Sequence, residues 1–302
     1  ARGGTLVGGS ALAFHMSDWS KGSAYAEEAI EIFTALRDAS GLADALVARG
    51  NHALGQEDYD AARSLYDRAY SKYRESSHRR GMGVALSNAG RAAELLGDFA
   101  SAARLYDEGL AILREVGALT QTALRLSSLG HLLMRLDDLG AAKERLLECL
   151  TLVQELREKP SGEFALERSA ALLQAEGRSH EAAVICSAAE TVSATMGSPL
   201  TPRERRERDE LIGSLRDALG ERFAAAWEEG RVLDFESAVE RARSALQGKP
   251  PPSRKIVPDS KEAPTRPTAS TAFLLGDIRA GDPKATARLV KRYLPLLRRW
   301  AH

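Results

Sequence analysis

Residues 50–69 read Gly50-Asn51-His52-Ala53-Leu54-Gly55-Gln56-Glu57-Asp58-Tyr59-Asp60-Ala61-Ala62-Arg63-Ser64-Leu65-Tyr66-Asp67-Arg68-Ala69. The same frame returns forty residues later as Gly90, Asp98, Phe99, Ala102, Tyr106 and Gly109. It returns again as Gly130, Asp138, Leu139, Ala142, Leu146 and Cys149. Working outward, Leu6, Leu46, Leu86, Leu126 and Leu166 share a column, and Asp18 and Trp19 precede Asp58 and Tyr59 by one period. A fixed period of this length over the first 200 residues implies a stacked array in which each unit buries its neighbour's apolar face. The search for function therefore begins with a surface and not with a catalytic pocket.

Within residues 41–80 the apolar positions follow helical spacing twice. They run Leu42, Ala45, Leu46, Ala48 and Ala53, then Ala61, Ala62, Leu65, Tyr66, Ala69, Tyr70 and Tyr73, with one interruption at Gly55–Tyr59. Asp58 stands where an N-cap carboxylate would accept from the free N–H groups of the second helix. Gly50 and Ala62 mark close approach of two antiparallel helices, and Tyr66 is the bulky side chain beside them. The expected fold is an all-α array of helical hairpins.

These residues resemble the tetratricopeptide repeat, whose pattern is a small residue followed by Ala, an aromatic and Ala at fixed offsets. Gly50, Ala62, Tyr66 and Ala69 carry the resemblance, as do Gly90, Ala102, Tyr106 and Gly109. Gly130, Ala142, Leu146 and Cys149 follow less closely, and Ala170, Ala182, Cys186 and Ala189 form a degenerate fifth unit. The family's usual unit is about 34 residues, so the period here implies longer helices. The resemblance implies a right-handed superhelix over residues 1–200. It also implies a concave groove lined by Asn51, Arg91 and His131 in one ladder and Val47, Ser87 and Ser127 in the other. Mixed polar groups along such a groove suit a peptide or a protein domain. The family's clamp for carboxyl-terminal peptides needs Lys where Val47, Ser87 and Ser127 stand, so that specificity is not expected.

An apolar content of 44% supports a sizeable core, and the zero net charge hides an asymmetry. Residues 249–302 carry 12 Lys/Arg against 4 Asp/Glu, and the remainder carries 30 against 38. An acidic array followed by a basic tail implies two modules with different partners. Cys149 and Cys186 occupy packing columns, as expected of small reduced core residues in a cytoplasmic protein. No apolar run reaches membrane-spanning length and no basic-then-apolar leader is present. The chain opens mid-repeat at Ala1 and stops mid-pattern at His302, as expected of a fragment or processed product.

The register is lost from Gly197. Thr201 is placed to cap a helix beginning at Pro202, and two more helices are expected around 223–229 and 235–246, making 201–246 a helical cap. The run Arg203–Glu210 balances four arginines against four acids and reads as a solvated face. The wording of residues 196–200 and 223–230 resembles the tail that closes repeat arrays in large bacterial signalling regulators. There Phe223 and Trp227 would cover the last repeat. Residues 247–270, with six prolines, read as a disordered linker. Residues 271–302 resemble the start of region two of bacterial sigma factors, the extracytoplasmic-function type. That resemblance implies RNA polymerase as a partner. The chain stops before the segments that grip polymerase and promoter, so direct DNA contact is not expected and no contact residue carries over.

Gly3-Gly4 and Gly8-Gly9 lack the Gly-Lys-Ser/Thr of a phosphate loop and read as a frayed first helix. The histidines show no two-ligand spacing, Glu27-Glu28 and Glu228-Glu229 point to different faces, and no nucleophile set emerges. No catalytic residue, cofactor or metal is expected. The sequence reads as a protein-interaction and regulatory module of bacterial signalling or transcription control. The alternatives are the sensory arm of a regulatory ATPase and an assembly scaffold without a transcription role. If the terminal segment acts as its resemblance implies, the intact chain will retain bacterial core RNA polymerase in a pull-down and a chain ending at residue 270 will not. Equal retention by both would sink that assignment.

Overall fold

The computed structural model describes residues 2–196 and 200–249. Among them are thirteen α-helices, one short 3-10 turn and no strand. Ten helices form five hairpins. These are α1 (Arg2–His15) with α2 (Trp19–Leu36), α3 (Ala39–Gly55) with α4 (Tyr59–Glu75), α5 (Arg79–Leu95) with α6 (Phe99–Glu115), α7 (Leu119–Arg135) with α8 (Leu139–Leu156), and α9 (Lys159–Ala175) with α10 (Ser179–Met196). From α2 to α10 every second helix starts forty residues after the last, so the sequence period is realised to the residue. Three helices follow: α11 (Pro202–Leu219), then, after the 3-10 turn, α12 (Phe223–Arg231) and α13 (Phe235–Leu246). The expected linker beyond residue 249 and the segment 271–302 lie outside the described residues.

Each turn is built from the same parts. The backbone turns left-handed at Ser17, Glu57, Gly97, Asp137 and Gly177 inside the hairpins, and at Arg37, Ser77, Gly117 and Arg157 between them. A left-handed residue ends one helix and frees the chain to reverse. Five of the helices then open on a capping aspartate, whereas His78 and Ala118 before α5 and α7 make no side-chain cap. Asp18, Asp38, Asp58, Asp98 and Asp138 each accept from the N–H three residues on, as Asp58 does from Ala61 at 3.1 Å. The repeat length is set here, because turns of two or three residues leave no slack for the helices to slip.

Packing inside each hairpin follows a volume rule. A methyl added at Gly50 would stand 2.6 Å from the Tyr66 ring, at Gly90 3.2 Å from Tyr106, and at Gly130 3.0 Å from Leu146. Tyr66, Tyr106 and Leu146 are fully buried there. The fifth repeat has the larger Ala170 in the glycine column and the smaller Cys186 opposite, both buried. In the first repeat Ser10 and Ala26 are both small, and His52 from the second repeat lies against Gly22 and bonds Ser10 at 2.8 Å. The volume is conserved while its owner changes. Cys149 and Cys186 are buried thiols, pushed up to about 12 by burial, and Cys149 donates to the Ala123 carbonyl at 3.0 Å.

Two expectations are corrected. Residues 2–15 form a continuous helix, not a frayed one. Gly3 is buried against Phe33 and Gly9 meets the Tyr25 ring, so these glycines admit aromatic side chains from α2. The run Arg203–Glu210 is solvated on one side only: Arg205, Arg206, Asp209 and Glu210 are exposed, whereas Arg208 is 8% exposed and bonds Glu167 and Glu163 of the array.

Replacing Tyr66 by Ala will lower stability by about 3–5 kcal/mol, while Tyr66→Phe will cost only about 1 kcal/mol. Ser77→Gly will stabilise by about 0.5–1 kcal/mol by relieving a left-handed non-glycine residue. Urea unfolding monitored by circular dichroism reads all three.

Candidate functional site: the inner face and its crossing helix

First helices of neighbouring hairpins touch one another along the array, from α1 to α3, α5, α7 and α9. They make one inner layer, and the second helices lie outside it. Asn51, Arg91 and His131 occur in consecutive inner helices and are partly exposed. Asn51 accepts a hydrogen bond from the Tyr66 hydroxyl at 2.8 Å. His131 approaches Glu94 with Nδ1 at 2.6 Å from Oε1, and a carboxylate can only accept, so the proton belongs on that nitrogen. The second ladder sinks into the layer. Val47 packs against the core, Ser87 donates to the Gly83 carbonyl at 2.7 Å, and Ser127 accepts from Arg168. Ser87 and Ser127 have no exposed surface.

Glu94 organises the middle of this face. It is 1% exposed and accepts from the Tyr106 hydroxyl at 2.9 Å as well as from His131. Burial raises its carboxyl. His131, Arg91 and Tyr106 outweigh that and hold it at about 2. The guanidinium groups of Arg91 and Arg168, from α5 and α9, act on it, and Arg125 of α7 faces Tyr66, Tyr106 and those two arginines.

The helix expected from Thr201 and Pro202 is α11, and what the sequence did not show is that it crosses this face. Its start is fixed by a capping box in which Glu204 accepts from the Thr201 N–H at 3.0 Å and Thr201 accepts from the Glu204 N–H at 3.2 Å. From there Glu204 lies 3.8 Å from Arg91, Arg206 bonds Glu57 at 3.0 Å, and Ser214 accepts from Gln174 at 2.9 Å. Arg208 forks between Glu167 at 2.8 Å and Glu163 at 3.2 Å. The two halves of α11 are held differently. Leu215 and Leu219 are buried and Leu211 and Ile212 pack on the core, whereas the half before Asp209 is held by charge. Exposed pairs such as Arg206–Glu57 contribute at most about 1 kcal/mol each.

The last two helices close the fifth hairpin. In α12 the Phe223 and Trp227 rings stack at 5.1 Å, Ser187 donates to the Trp227 carbonyl at 2.7 Å, and Gly230 lets the helix reach the Val184 carbonyl of α10. In α13 Phe235 fills the space over Gly162 and the helix packs on α8, α9 and α10.

Glu94→Gln will cost on the order of 3 kcal/mol at pH 7. The ordinary value of the carboxyl is 4.5 and the folded value about 2, so the stabilisation is full above pH 4.5 and is lost as pH falls toward 2. Urea unfolding of both proteins at pH 7 and pH 3 will show the gap narrowing in acid. An unchanged gap would mean that the carboxylate is not the stabilising group.

The tetratricopeptide repeat family matches residues 41–115. No curated protein matches the sequence. Three solved structures share the architecture at low identity. BtubC (BKLC) from P. vanneervenii is 16% identical with a TM-score of 0.51 over 85% of this chain and 99% of its own. A Rap protein complexed with Competence and Sporulation Factor is 13% identical with a TM-score of 0.58 over 82% of this chain and 64% of its own. Aspartyl phosphate phosphatase F from Bacillus subtilis is 15% identical with a TM-score of 0.50 over 78% of this chain and 62% of its own. The matched region therefore spans under two thirds of the length of the last two. The described chain is an all-α superhelical repeat whose residues 41–115 match the tetratricopeptide repeat family.

Proposed function

We propose that this protein is a non-enzymatic interaction and regulatory module whose inner face captures a segment of another protein. The observation that carries the reading is α11, an amphipathic helix already seated across three repeats of that face and held at one end by polar contacts alone. A surface that accommodates one helix has the width and the mixed polar lining for another. Asn51, Arg91 and His131 are the groove residues of this reading, with Val47, Ser87 and Ser127 as the layer beneath them. The similar Rap structure is a complex with Competence and Sporulation Factor, which supports partner capture by an array of this shape.

The bacterial signalling context is the finer part of the proposal and rests on sequence resemblance: residues 196–230 to closing tails of large regulators, and residues 271–302 to sigma factors. RNA polymerase is the partner proposed for that last segment. A cytoplasmic location belongs to the same reading, and among the described residues no helix is long and apolar enough to cross a membrane.

A photo-crosslinking residue at Asn51 will capture partner protein from a bacterial lysate at least tenfold more than the same residue at Arg104, which is exposed on the outer helix α6. Equal or reversed yields would place the binding surface elsewhere.

A further inference from the structure

Arg125 breaks the repeat. Its column holds Ala45, Ala85 and Ala165 in the neighbouring units, each with no exposed surface. A guanidinium in an alanine position is costly unless something compensates it. Arg125 is partly exposed, and among the described residues no side chain pairs with it. Its Nε is buried without a hydrogen-bond partner, and no carboxylate pairs with it. The groups that face it are Tyr66, Tyr106, Arg91 and Arg168. Burial holds both tyrosines well above their ordinary range, so neither offers a negative charge. Burial, deepened by the two neighbouring cations, brings Arg125 itself down to about 10.

The two neighbours are only partly served. Arg168 donates to Ser127 and stacks on Phe164 at 5.4 Å. Arg91 has Glu94 beside it, and from α11 only Glu204 at 3.8 Å, beyond hydrogen-bond range, with Glu207 farther along the same helix. Three arginines from three successive inner helices thus converge on one patch. The charges α11 brings to Arg91 are carboxylates spaced three residues apart.

We propose that Arg91, Arg125 and Arg168 are the seat for an acidic helical segment of a partner protein, whose side-chain carboxylates take the place of Glu204 and Glu207 and complete Arg125. This rests on the inner face being the binding surface. The first turns of α11, up to Glu207, are then an internal stand-in for the ligand, held by the Arg206–Glu57 pair and the long Glu204–Arg91 approach, while the buried Arg208 fork and Leu215 and Leu219 keep the rest attached. A nucleic acid fits the seat less well, because residues outside the basic tail carry 30 Lys/Arg against 38 Asp/Glu and would repel a long polyanion.

The test uses two fluorescein-labelled, C-terminally amidated peptides. One copies residues 200–219, and the other is the same peptide with Glu204→Gln and Glu207→Gln. Each is titrated by fluorescence anisotropy into the full chain carrying Glu204→Gln and Glu207→Gln, which loosens the tethered helix. The acidic peptide will bind at least tenfold more tightly than the amide version. Arg125→Ala will erase that preference and at the same time raise the thermal midpoint, since alanine is the native residue of this column in three sister repeats. Equal binding of the two peptides, or a preference that survives Arg125→Ala, overturns the seat yet leaves the crosslinking result at Asn51 to stand or fall alone. Absence of binding by both peptides overturns it too. So does competition by a 20-nucleotide single-stranded DNA as effective as that by the acidic peptide, which would make the patch a general polyanion site.

Discussion

The closeness of Gly50 to the Tyr66 ring, and of Gly90 and Gly130 to their partners, is the constraint on which the array depends. A hairpin of two 17-residue helices buries little when isolated. It becomes a building block only because the small residue lets the second helix approach, and the large one fills what remains. That approach turns Leu46, Leu86, Leu126 and Leu166 toward a neighbour and makes the inner layer continuous. The exchanges seen at both ends, Ala170 with Cys186 and Ser10 with His52, obey the same volume requirement with different residues. Conservation of volume, rather than of any one side chain, explains why the outer units diverge while keeping their length.

This part of the fold was readable because it is periodic. Aspartates recurring every forty residues announce caps, and a glycine followed at a fixed distance by a tyrosine announces a close crossing. The left-handed positions were not readable. Ser17, Glu57, Asp137, Ser77, Arg37 and Arg157 have no shared chemistry, and only three positions in those two columns use glycine. Short turns impose the conformation on whatever residue stands there. The glycines of α1 misled for a related reason, since two pairs near a terminus suggest looseness until Phe33 and Tyr25 occupy the space beside them.

The inner face was half legible. The family resemblance implied one ladder of Asn51, Arg91 and His131, and these stand partly exposed in consecutive inner helices. It did not reveal that Ser87 and Ser127 lie fully beneath the surface, which depends on how closely neighbouring first helices approach. Nor did it reveal where α11 docks, because its alternating charges read as a solvent face until a second set of charges appears opposite. Glu57, Arg91, Glu163 and Glu167 are scattered over more than a hundred residues, and no local pattern pairs them with Arg203–Arg208. The clue lay in the repeat itself: an arginine standing where the sister units have alanine.

Stacked hairpins ordinarily interact only with the next unit, so such arrays bend and stretch like coil springs. In this molecule α11 ties the fifth hairpin to the turn of the second through Arg208 and Arg206. Such a tie joins hairpins that are not neighbours, through an exposed pair at one end and a buried fork at the other. Detaching its charged end would leave the hydrogen bonds of every hairpin intact and change only the stiffness of the whole. The second and fifth hairpins would then be joined only through the hairpins between them.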